Sequence, residues 1–323
     1  MDTVSDDFSE DIPDGVVAEV RTPDWLRTRY PWNQRRATVN GRRMAYLDEG
    51  PRTGRPVLLL HGNPNWSYLY RFFVPPLVRA GYRVIAPDWI GAGNSDKPRL
   101  DAAYSLAHHI ADLVALIDQL DLRGLALVGQ DWGGPQGVGA ALQRLDRVSA
   151  ITLMNTWVFT DVCGPFHTSP LPWTTWHSPL AGQVFLKRFK MLSRFGVLAV
   201  SARNPDHLDA RAYQHVYDEP DSEGVTLTWP RTIPLREGDR GWADMVAIQE
   251  NLPKLADTPV QLMWAPEDAV FPIEYAHRIK ELIPHAQGPV LFSGAHHFLQ
   301  DDRGSDIVEE LIAFLDRAVG SNA

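Results

Sequence analysis

A short stretch of the sequence places an acidic side chain between glycines, where an apolar run gives way to a helical pattern. Residues Gly129–Gly133 follow the pattern Gly-x-Asp-x-Gly, with Asp131 at the centre. The run Leu125–Val128 predicts a buried strand, and the glycine-rich Gly133–Ala141 predicts a closely packed helix. A sharp turn between them exposes its central side chain and leaves room only for glycine on either side. The spacing indicates a nucleophilic carboxylate at Asp131, although this residue could also simply cap the helix.

Two later side chains could complete this chemistry. Asp268 follows the apolar run Val260–Trp264, and His297 follows the run Pro289–Phe292, so each would lie at the carboxyl end of a strand. Nucleophile, acid and base in this chain order suit a histidine base whose tautomer is held by the acid. On spacing alone, two other carboxylates could replace this acid: Glu267 and Asp301.

Short apolar runs that alternate with helical patterns must position these residues. The candidate strands are Arg36–Val39, Arg43–Leu47, Pro56–Leu60, Arg83–Pro87, Leu125–Val128, Ala150–Met154, Val260–Trp264 and Pro289–Phe292. Asn40-Gly41 predicts a hairpin between the first two, and Ser105–Leu120 has helical spacing. The alternation indicates an α/β protein with a mostly parallel sheet covered on both faces.

The alternation stops between residues 157 and 230, which are rich in proline and aromatic residues and include a helical pattern at Gln183–Ser193. We therefore predict an N-terminal arm over residues 1–31, whose acidic start could be disordered. An α/β core over residues 32–156 follows, then an inserted helical cap over 157–230, and residues 231–323 complete the core.

The composition excludes several classes of function. The 323 residues carry a formal net charge of −9, so we expect no surface for nucleic acid. Cys163 is the sole cysteine, which excludes an intrachain disulfide and a thiolate metal site. No run of about 18 apolar residues could span a membrane, and the acidic start lacks the pattern of a signal peptide. We expect a cytoplasmic protein.

The chain resembles the haloalkane dehalogenases, a family of the α/β-hydrolase superfamily, over nearly all of its length after the acidic start. The resemblance is densest at four stretches: His61–Arg71, Gly91–Pro98, Gln130–Gly134 and His297–Asp301. It implies an α/β-hydrolase fold with an inserted helical cap. It also implies hydrolysis of small haloalkanes to an alcohol, halide and a proton, with no cofactor and no metal.

Carried over residue by residue, the resemblance implies that Asp131 is the nucleophile, His297 the base and Asp268 the acid that orients it. The backbone N–H groups of Asn63 and Trp132 would form the oxyanion hole. This chemistry is consistent, because a carboxylate that attacks an sp³ carbon forms an ester, which activated water can then hydrolyse. An aspartate at its ordinary pKa of ~3.9 needs no base to ionise it at pH 7.

The resemblance implies one halide-binding residue and leaves the second one open. The indole of Trp132 would donate to the halide. The second donor stays open among Trp176, which we prefer, Trp173 and the side chain of Asn63, because different subfamilies use a cap tryptophan or the residue at the Asn63 position. Each cap tryptophan could instead simply line the pocket.

Two departures from the family pattern matter. One subfamily takes its acid from the loop after Ala150–Met154, where this chain has Asn155–Trp157 and no carboxylate, so Asp268 is favoured. His296 stands where a small residue is usual, and we expect it to crowd the site. His61 is expected to hold the oxyanion loop.

Two other functions remain possible at this point. An epoxide hydrolase could use the same triad, but its alkoxide leaving group would need an acidic O–H, which Tyr213 and Tyr217 of the cap could supply. A catalytically silent ligand-binding homologue is a third possibility. For the dehalogenase, we expect a haloalkane, water and halide as the molecules bound, no nucleic acid or membrane, and a monomer or small homo-oligomer.

Overall fold

The computed structural model describes residues 19–99, 101–162, 165–169, 206–218 and 224–320, together with residues 174, 176–182, 184, 189–190, 193 and 222. The acidic start before residue 19, Trp173 and most of the helix predicted at Gln183–Ser193 lie outside the described residues.

Nine strands of the described chain form one sheet in the order β1-β2-β3-β5-β4-β6-β7-β8-β9. Their bounds are β1 Glu19–Val20, β2 Gln34–Val39, β3 Arg42–Glu49, β4 Pro56–Leu60, β5 Arg83–Pro87, β6 Leu125–Asp131, β7 Val148–Thr156, β8 Val260–Trp264 and β9 Gln287–Leu291. β1, β2, β3 and β5 pair antiparallel, and every pair from β5 through β4 to β9 is parallel. The predicted mostly parallel sheet is therefore present.

Helices follow most of the parallel strands. Their bounds are α1 Val74–Arg79, α2 Leu106–Gln119, α3 Gly133–Gln143, α4 Pro165–Thr168, α5 Pro179–Ala181, α6 His207–Gln214, α7 Gly224–Arg231, α8 Trp242–Asn251, α9 Ile273–Leu282 and α10 Leu299–Gly320. The side chain of Ser105 caps α2 by accepting from the His108 N–H. Short 3-10 helices lie at Asp24–Leu26, Ser67–Tyr70, Asp101–Tyr104, Leu145–Arg147, His215–Tyr217 and Leu252–Leu255.

The predicted strands agree closely with the observed ones. The hairpin prediction is confirmed, since Asn40 and Gly41 both have positive φ, 48° and 80°, as its two-residue turn requires. Strands β4, β5 and β8 have the predicted bounds. The last strand was predicted to begin two residues too late and to end one residue too late, because β9 is an edge strand with exposed residues and a weak apolar signal.

The carboxyl ends of the central strands carry the residues predicted to act. β4 and β6 are buried along their whole length, as strands covered on both faces must be. Helix α3 contacts both α2 and α8, and α1 contacts α10. None of the described helices is long and apolar enough to cross a membrane. The division into arm, core and cap stays a prediction.

Helix α6 is tied to the core by a buried ionic cluster around Arg71. The guanidinium donates to Asp301 Oδ1 at 2.6 Å, and it lies 3.4 Å from Asp209 Oδ1 on α6. Tyr213, also on α6, donates to Asp301 Oδ2 at 2.7 Å, while Tyr68 donates to Asp209 at 2.5 Å. Every charge in the cluster thus meets an opposite charge or a hydroxyl, the condition under which buried charges are tolerated.

Candidate active site

Asp131 occupies a strained corner between β6 and α3. Its φ is +53°, a left-handed conformation that non-glycine residues rarely adopt. A Cβ on Gly129 would lie 2.5 Å from the carbonyl oxygen of Gly133, so only glycine fits there. The hydroxyl of Thr156 at the end of β7 donates to the Asp131 carbonyl at 2.5 Å. The corner predicted from the glycine spacing is therefore present, and it presents the carboxylate of Asp131 to a cavity.

Two backbone N–H groups donate to the carboxyl group of Asp131. The Asn63 N–H donates to Asp131 Oδ1 at 2.7 Å, and the Trp132 N–H also bonds the carboxyl group. A Cβ on Gly62 would lie 1.9 Å from Asp131 Oδ1, so glycine is required for this close approach. The two N–H groups predicted to form an oxyanion hole therefore converge on the nucleophile's own carboxyl.

His61 supports the loop that carries Asn63. Its Nδ1 donates to the Gly62 carbonyl at 2.8 Å, and its Nε2 accepts the Trp89 N–H at 3.2 Å. Burial lowers the pKa of His61 to about 4, so the ring is neutral at pH 7. These contacts agree with the expected supporting role.

The other two predicted residues pair with each other. His297 Nδ1 lies 2.9 Å from Asp268 Oδ2, and His297 Nε2 lies 3.8 Å from Asp131 Oδ2. Asp268 also accepts from the Val270 N–H at 2.7 Å and from the Asn155 side-chain amide at 2.8 Å. The alternative acid Asp301 pairs with Arg71 instead. The structure thus brings Asp131, His297 and Asp268 together.

Burial and charge shift the titration of both reactive groups. Burial raises the pKa of Asp131 to about 6, although His297 and the two backbone N–H groups oppose this. The ordinary pKa assumed for this aspartate was therefore wrong, but the group is still mainly ionised at pH 7. Burial alone would lower the pKa of His297; the charge of Asp268, its hydrogen bond and the charge of Asp131 outweigh burial and raise it.

A cavity of about 210 Å³ lies over Asp131. Its described walls are mainly apolar: Phe166, Trp176, Ile233, Val270, Phe271 and Phe298. The polar residues that reach it are few: Asn63, Asp131, His167 and His297. Across the described part of the chain, no group of three His, Cys, Asp or Glu side chains could hold a metal ion. The cavity therefore suits a small apolar substrate held next to a carboxylate.

All three described candidates for halide binding line this cavity. Trp132 is nearly buried and packs edge-on against Trp157 at 4.9 Å between ring centroids. Trp176 lines the cavity from the cap. The Asn63 side-chain oxygen is buried with no hydrogen-bond partner among the residues described. Trp173 cannot be placed, because it lies outside those residues, and the choice of a second halide ligand stays a prediction.

The two cap tyrosines do not reach the cavity. Tyr213 is fully buried and donates to Asp301, and Tyr217 is also fully buried; neither lines the cavity. No tyrosine lines the cavity within the described chain, so the acidic O–H that an epoxide hydrolase needs is not in place there. The expected crowding by His296 is not seen either, since that half-buried side chain is not among the described lining residues.

Three residues of the site had no role predicted from the sequence. Gln130 contacts His297, Asn155 contacts Asp268, and His167 lines the cavity from α4. Asn155 could have been found, because it ends β7 beside the strand that carries the acid. His167 lies in a cap without clear periodicity, where the sequence offers no such signal.

The chain is similar in sequence and fold to several known proteins. Residues 55–304 match the family described as alpha/beta hydrolase fold. The chain is 33% identical to the cis-3-alkyl-4-alkyloxetan-2-one decarboxylase of Shewanella oneidensis over 90% of this chain and 90% of that protein. It is 31% identical to the haloalkane dehalogenase of Mycolicibacterium paratuberculosis over 84% and 87%. The tetrameric structure of a haloalkane dehalogenase from Paraglaciecola agarilytica matches with a TM-score of 0.76 and 28% identity, over 91% of this chain and 97% of that one.

These matches confirm the predicted fold and the resemblance to haloalkane dehalogenases, and they do not favour the epoxide hydrolase alternative. An aspartate at the strained corner, a histidine–aspartate pair and an apolar cavity recur in the described structure where that resemblance implied them. The chain belongs to the α/β-hydrolase family, and its relatives of 31–33% identity include haloalkane dehalogenases and cis-3-alkyl-4-alkyloxetan-2-one decarboxylases.

Proposed function

We propose that the protein is a haloalkane dehalogenase that hydrolyses small haloalkanes through an ester on Asp131. The observation that carries this proposal is that the two oxygens of the Asp131 carboxyl group have different surroundings. Oδ1 is held by the Asn63 N–H, while Oδ2 faces His297 across 3.8 Å in an apolar cavity. Oδ2 is thus the oxygen placed to attack a bound substrate carbon.

In the first step, Asp131 Oδ2 attacks the carbon that bears the halogen, and the carbon–halogen bond breaks with its electron pair on the halide. The Trp132 indole N–H stabilises the departing halide. Halide is a weak base and leaves without a proton, so a donor that holds its hydrogen is sufficient. The product of this step is an alkyl ester of Asp131.

In the second step, His297 Nε2 takes a proton from water, and the resulting hydroxide attacks the ester carbonyl carbon. The negative charge develops on Oδ1, which the Asn63 N–H already contacts, and the Trp132 N–H donates to the same carboxyl group. As this intermediate collapses, the imidazolium of His297 gives its proton to the departing alkoxide oxygen and the alcohol leaves. The new carboxylic acid of Asp131 then loses one proton to solvent, which restores both residues. Asp268 stabilises the imidazolium through Nδ1.

Incubation of the purified protein with 1,2-dibromoethane tests the proposal, with bromide release as the readout. The matched variant His297→Gln should release about one bromide per enzyme and then stop, and mass spectrometry should find the alkyl group on Asp131. Diol formation from styrene oxide without any bromide release would support the epoxide hydrolase instead. Neither product would favour the silent binding protein.

A second activity is supported by a specific observation. Two relatives at 33% identity are cis-3-alkyl-4-alkyloxetan-2-one decarboxylases, and they cover 90% and 89% of this chain. A four-membered lactone ring, like a haloalkane, has an sp³ carbon bonded to a leaving group that needs no proton, here a carboxylate. The same Asp131 could therefore open such a ring.

Ring opening by Asp131 Oδ2 would break the bond between the sp³ ring carbon and the ring oxygen, leaving a free carboxylate on the neighbouring carbon. Loss of carbon dioxide then supplies the electron pair of a new double bond, while the ester bond breaks and Asp131 is restored. This sequence consumes no water and needs no base. The two activities thus differ in their dependence on His297.

Isotope labelling separates them. Multiple turnovers in H₂¹⁸O should introduce ¹⁸O into Asp131 during dehalogenation but not during decarboxylation. With a cis-3,4-dialkyloxetan-2-one, alkene and carbon dioxide should form in wild type and in His297→Gln alike if decarboxylation occurs.

A small homo-oligomer in solution is a further proposal, supported by the tetrameric relative and measurable by light scattering.

A further inference from the structure

The side-chain amide of Gln130 lies against the nitrogen of His297 that would act as the base. Gln130 Nε2 is 3.3 Å from His297 Nε2 and 3.1 Å from the His297 carbonyl oxygen. Gln130 precedes the nucleophile on β6 and is fully buried. A neutral side chain thus meets the base at the atom that must take a proton from water.

The hydrogens in this contact can be assigned from the partners. A carbonyl oxygen only accepts, so the group of Gln130 that faces the His297 carbonyl is its NH₂ group. Asp268 holds His297 Nδ1 as a donor, and in the neutral ring Nε2 is then an acceptor. The second hydrogen of the Gln130 amide therefore points to the lone pair of His297 Nε2.

This arrangement favours the neutral ring over the imidazolium. Protonation at Nε2 would set an N–H against the N–H of Gln130. The groups that face the ring from other elements are Asp131, Asp268 and His167. The two carboxylates favour the imidazolium, and once Asp131 is an ester, only Asp268 still does so.

We propose that Gln130 is a positioning residue that keeps His297 Nε2 unprotonated through this long 3.3 Å contact, until water displaces the amide and gives its proton to Nε2. The inference rests on the proposed function, because it assigns Gln130 to the step that hydrolyses the ester. Gln130 touches neither substrate nor ester in this role; it acts through the charge state of His297.

Two substitutions of similar size test the role. Gln130→Met removes the donor, and Gln130→Glu replaces it with an oxygen that accepts from a protonated Nε2. Gln136→Met on α3 is the matched control, since the Gln136 amide is equally buried but has no hydrogen-bond partner among the described residues.

The first readout is the pH dependence of ester hydrolysis in a single turnover. We expect its midpoint to rise by about half a unit to one unit in Gln130→Met, and further in Gln130→Glu, with the control unchanged. The initial bromide burst should stay within about threefold of wild type in Gln130→Met. An equal loss of rate at every pH, with no shift of the midpoint, would mean that Gln130 is merely structural and would overturn the proposal.

The second readout needs no turnover. In an Asp131→Asn background, which removes the charge that alkylation removes, ¹⁵N NMR reports the protonation of His297 Nε2 directly. Addition of Gln130→Met should raise the midpoint of that titration; an unchanged midpoint would overturn the inference. Absence of any bromide burst from wild type would refute the proposed function alone, because the NMR result does not depend on it. If Gln130→Glu fails to fold, Gln130→Met alone decides.

Discussion

The side-chain amide of Asn155 donates a 2.8 Å hydrogen bond to Asp268 Oδ2, the same oxygen that contacts His297 Nδ1. Asn155 is the next-to-last residue of β7, and Asp268 lies in the loop that follows β8. The two strands pair in parallel, so both side chains lie at the same edge of the sheet. Asn155 accepts the Ala265 N–H through its own oxygen, which fixes the direction of its amide. A related subfamily takes its acid from the loop after this strand. In this chain, Asn155 stands there and donates a hydrogen bond to the acid, Asp268.

This relationship predicts that the acid can be moved. Asp268→Asn should lower the rate of ester hydrolysis by at least about 100-fold, because the imidazolium loses its counter-charge. Adding Asn155→Asp should restore at least about tenfold of that loss, since Asn155 already contacts the Asp268 oxygen that faces Nδ1 and a carboxylate there would return the lost charge. Stopped-flow measurement of ester hydrolysis checks this. Equal rates in the single Asp268→Asn and the double variant would contradict it.

The buried carboxylate of Asp131 predicts a gain in stability on its removal. Its pKa is about 6 in the fold and 3.8 in the reference state, so between these values the folded protein binds a proton that the unfolded chain has released. Stability thus falls as pH rises through this window, by at most about 3 kcal/mol. Asp131→Asn should be more stable than wild type by about 1–3 kcal/mol at pH 8 and nearly equal to it at pH 4. Urea unfolding at the two pH values measures this, and a constant difference would contradict it.

The same titration predicts the acid limit of the first step. Only the ionised carboxylate attacks carbon, so the halide burst should slow about tenfold for each unit of pH below about 6. Rapid-quench measurement of the burst between pH 4.5 and pH 8 checks this prediction. A limit near pH 4 would mean that burial of Asp131 is relieved when substrate binds.

The tryptophans that line the cavity predict which substitutions weaken halide binding. A hydrogen bond to a charged group contributes about 1.5–3 kcal/mol, so loss of the indole donor in Trp132→Phe should weaken bromide binding by about 10- to 100-fold. Trp176→Phe should have a similar effect if it supplies the second donor, as we expect. Asn63→Ala is the comparison, and bromide titration by calorimetry is the measurement. If only Asn63→Ala weakens binding, the second ligand is Asn63.

Much of this site could be read from the sequence, because its parts are local. The corner at Asp131 is recognisable from its flanking glycines, where any Cβ atom would clash. Asp268 and His297 each follow a strand by a few residues. Parallel strands end at one edge of a sheet, so strand prediction alone brings these residues together.

Contacts between segments that are distant in sequence could not be predicted from the sequence. The pairing of Gln130 with His297 depends on how α10 begins, and the raised pKa of Asp131 depends on burial that no motif encodes. Tyr213 was a candidate proton donor because of its place in the cap, but its hydroxyl turns to Asp301 in the ionic cluster instead. Composition does not show which way such a side chain points.

The ionic cluster at Arg71 affects how substrate enters the cavity and how halide leaves it. Separating α6 from the core would take Asp209 from Arg71 and Tyr213 from Asp301, although Arg71 and Asp301 would stay paired. Loss of one partner from a buried ion pair costs about 3–5 kcal/mol, so we expect this separation to cost a few kcal/mol. Fewer than about one molecule in a hundred would have this contact open at any moment. We therefore expect substitutions in the part of the predicted cap that contributes Phe166 and Trp176 to the cavity wall to change the rates of substrate entry and halide exit more than substitutions in α6 do.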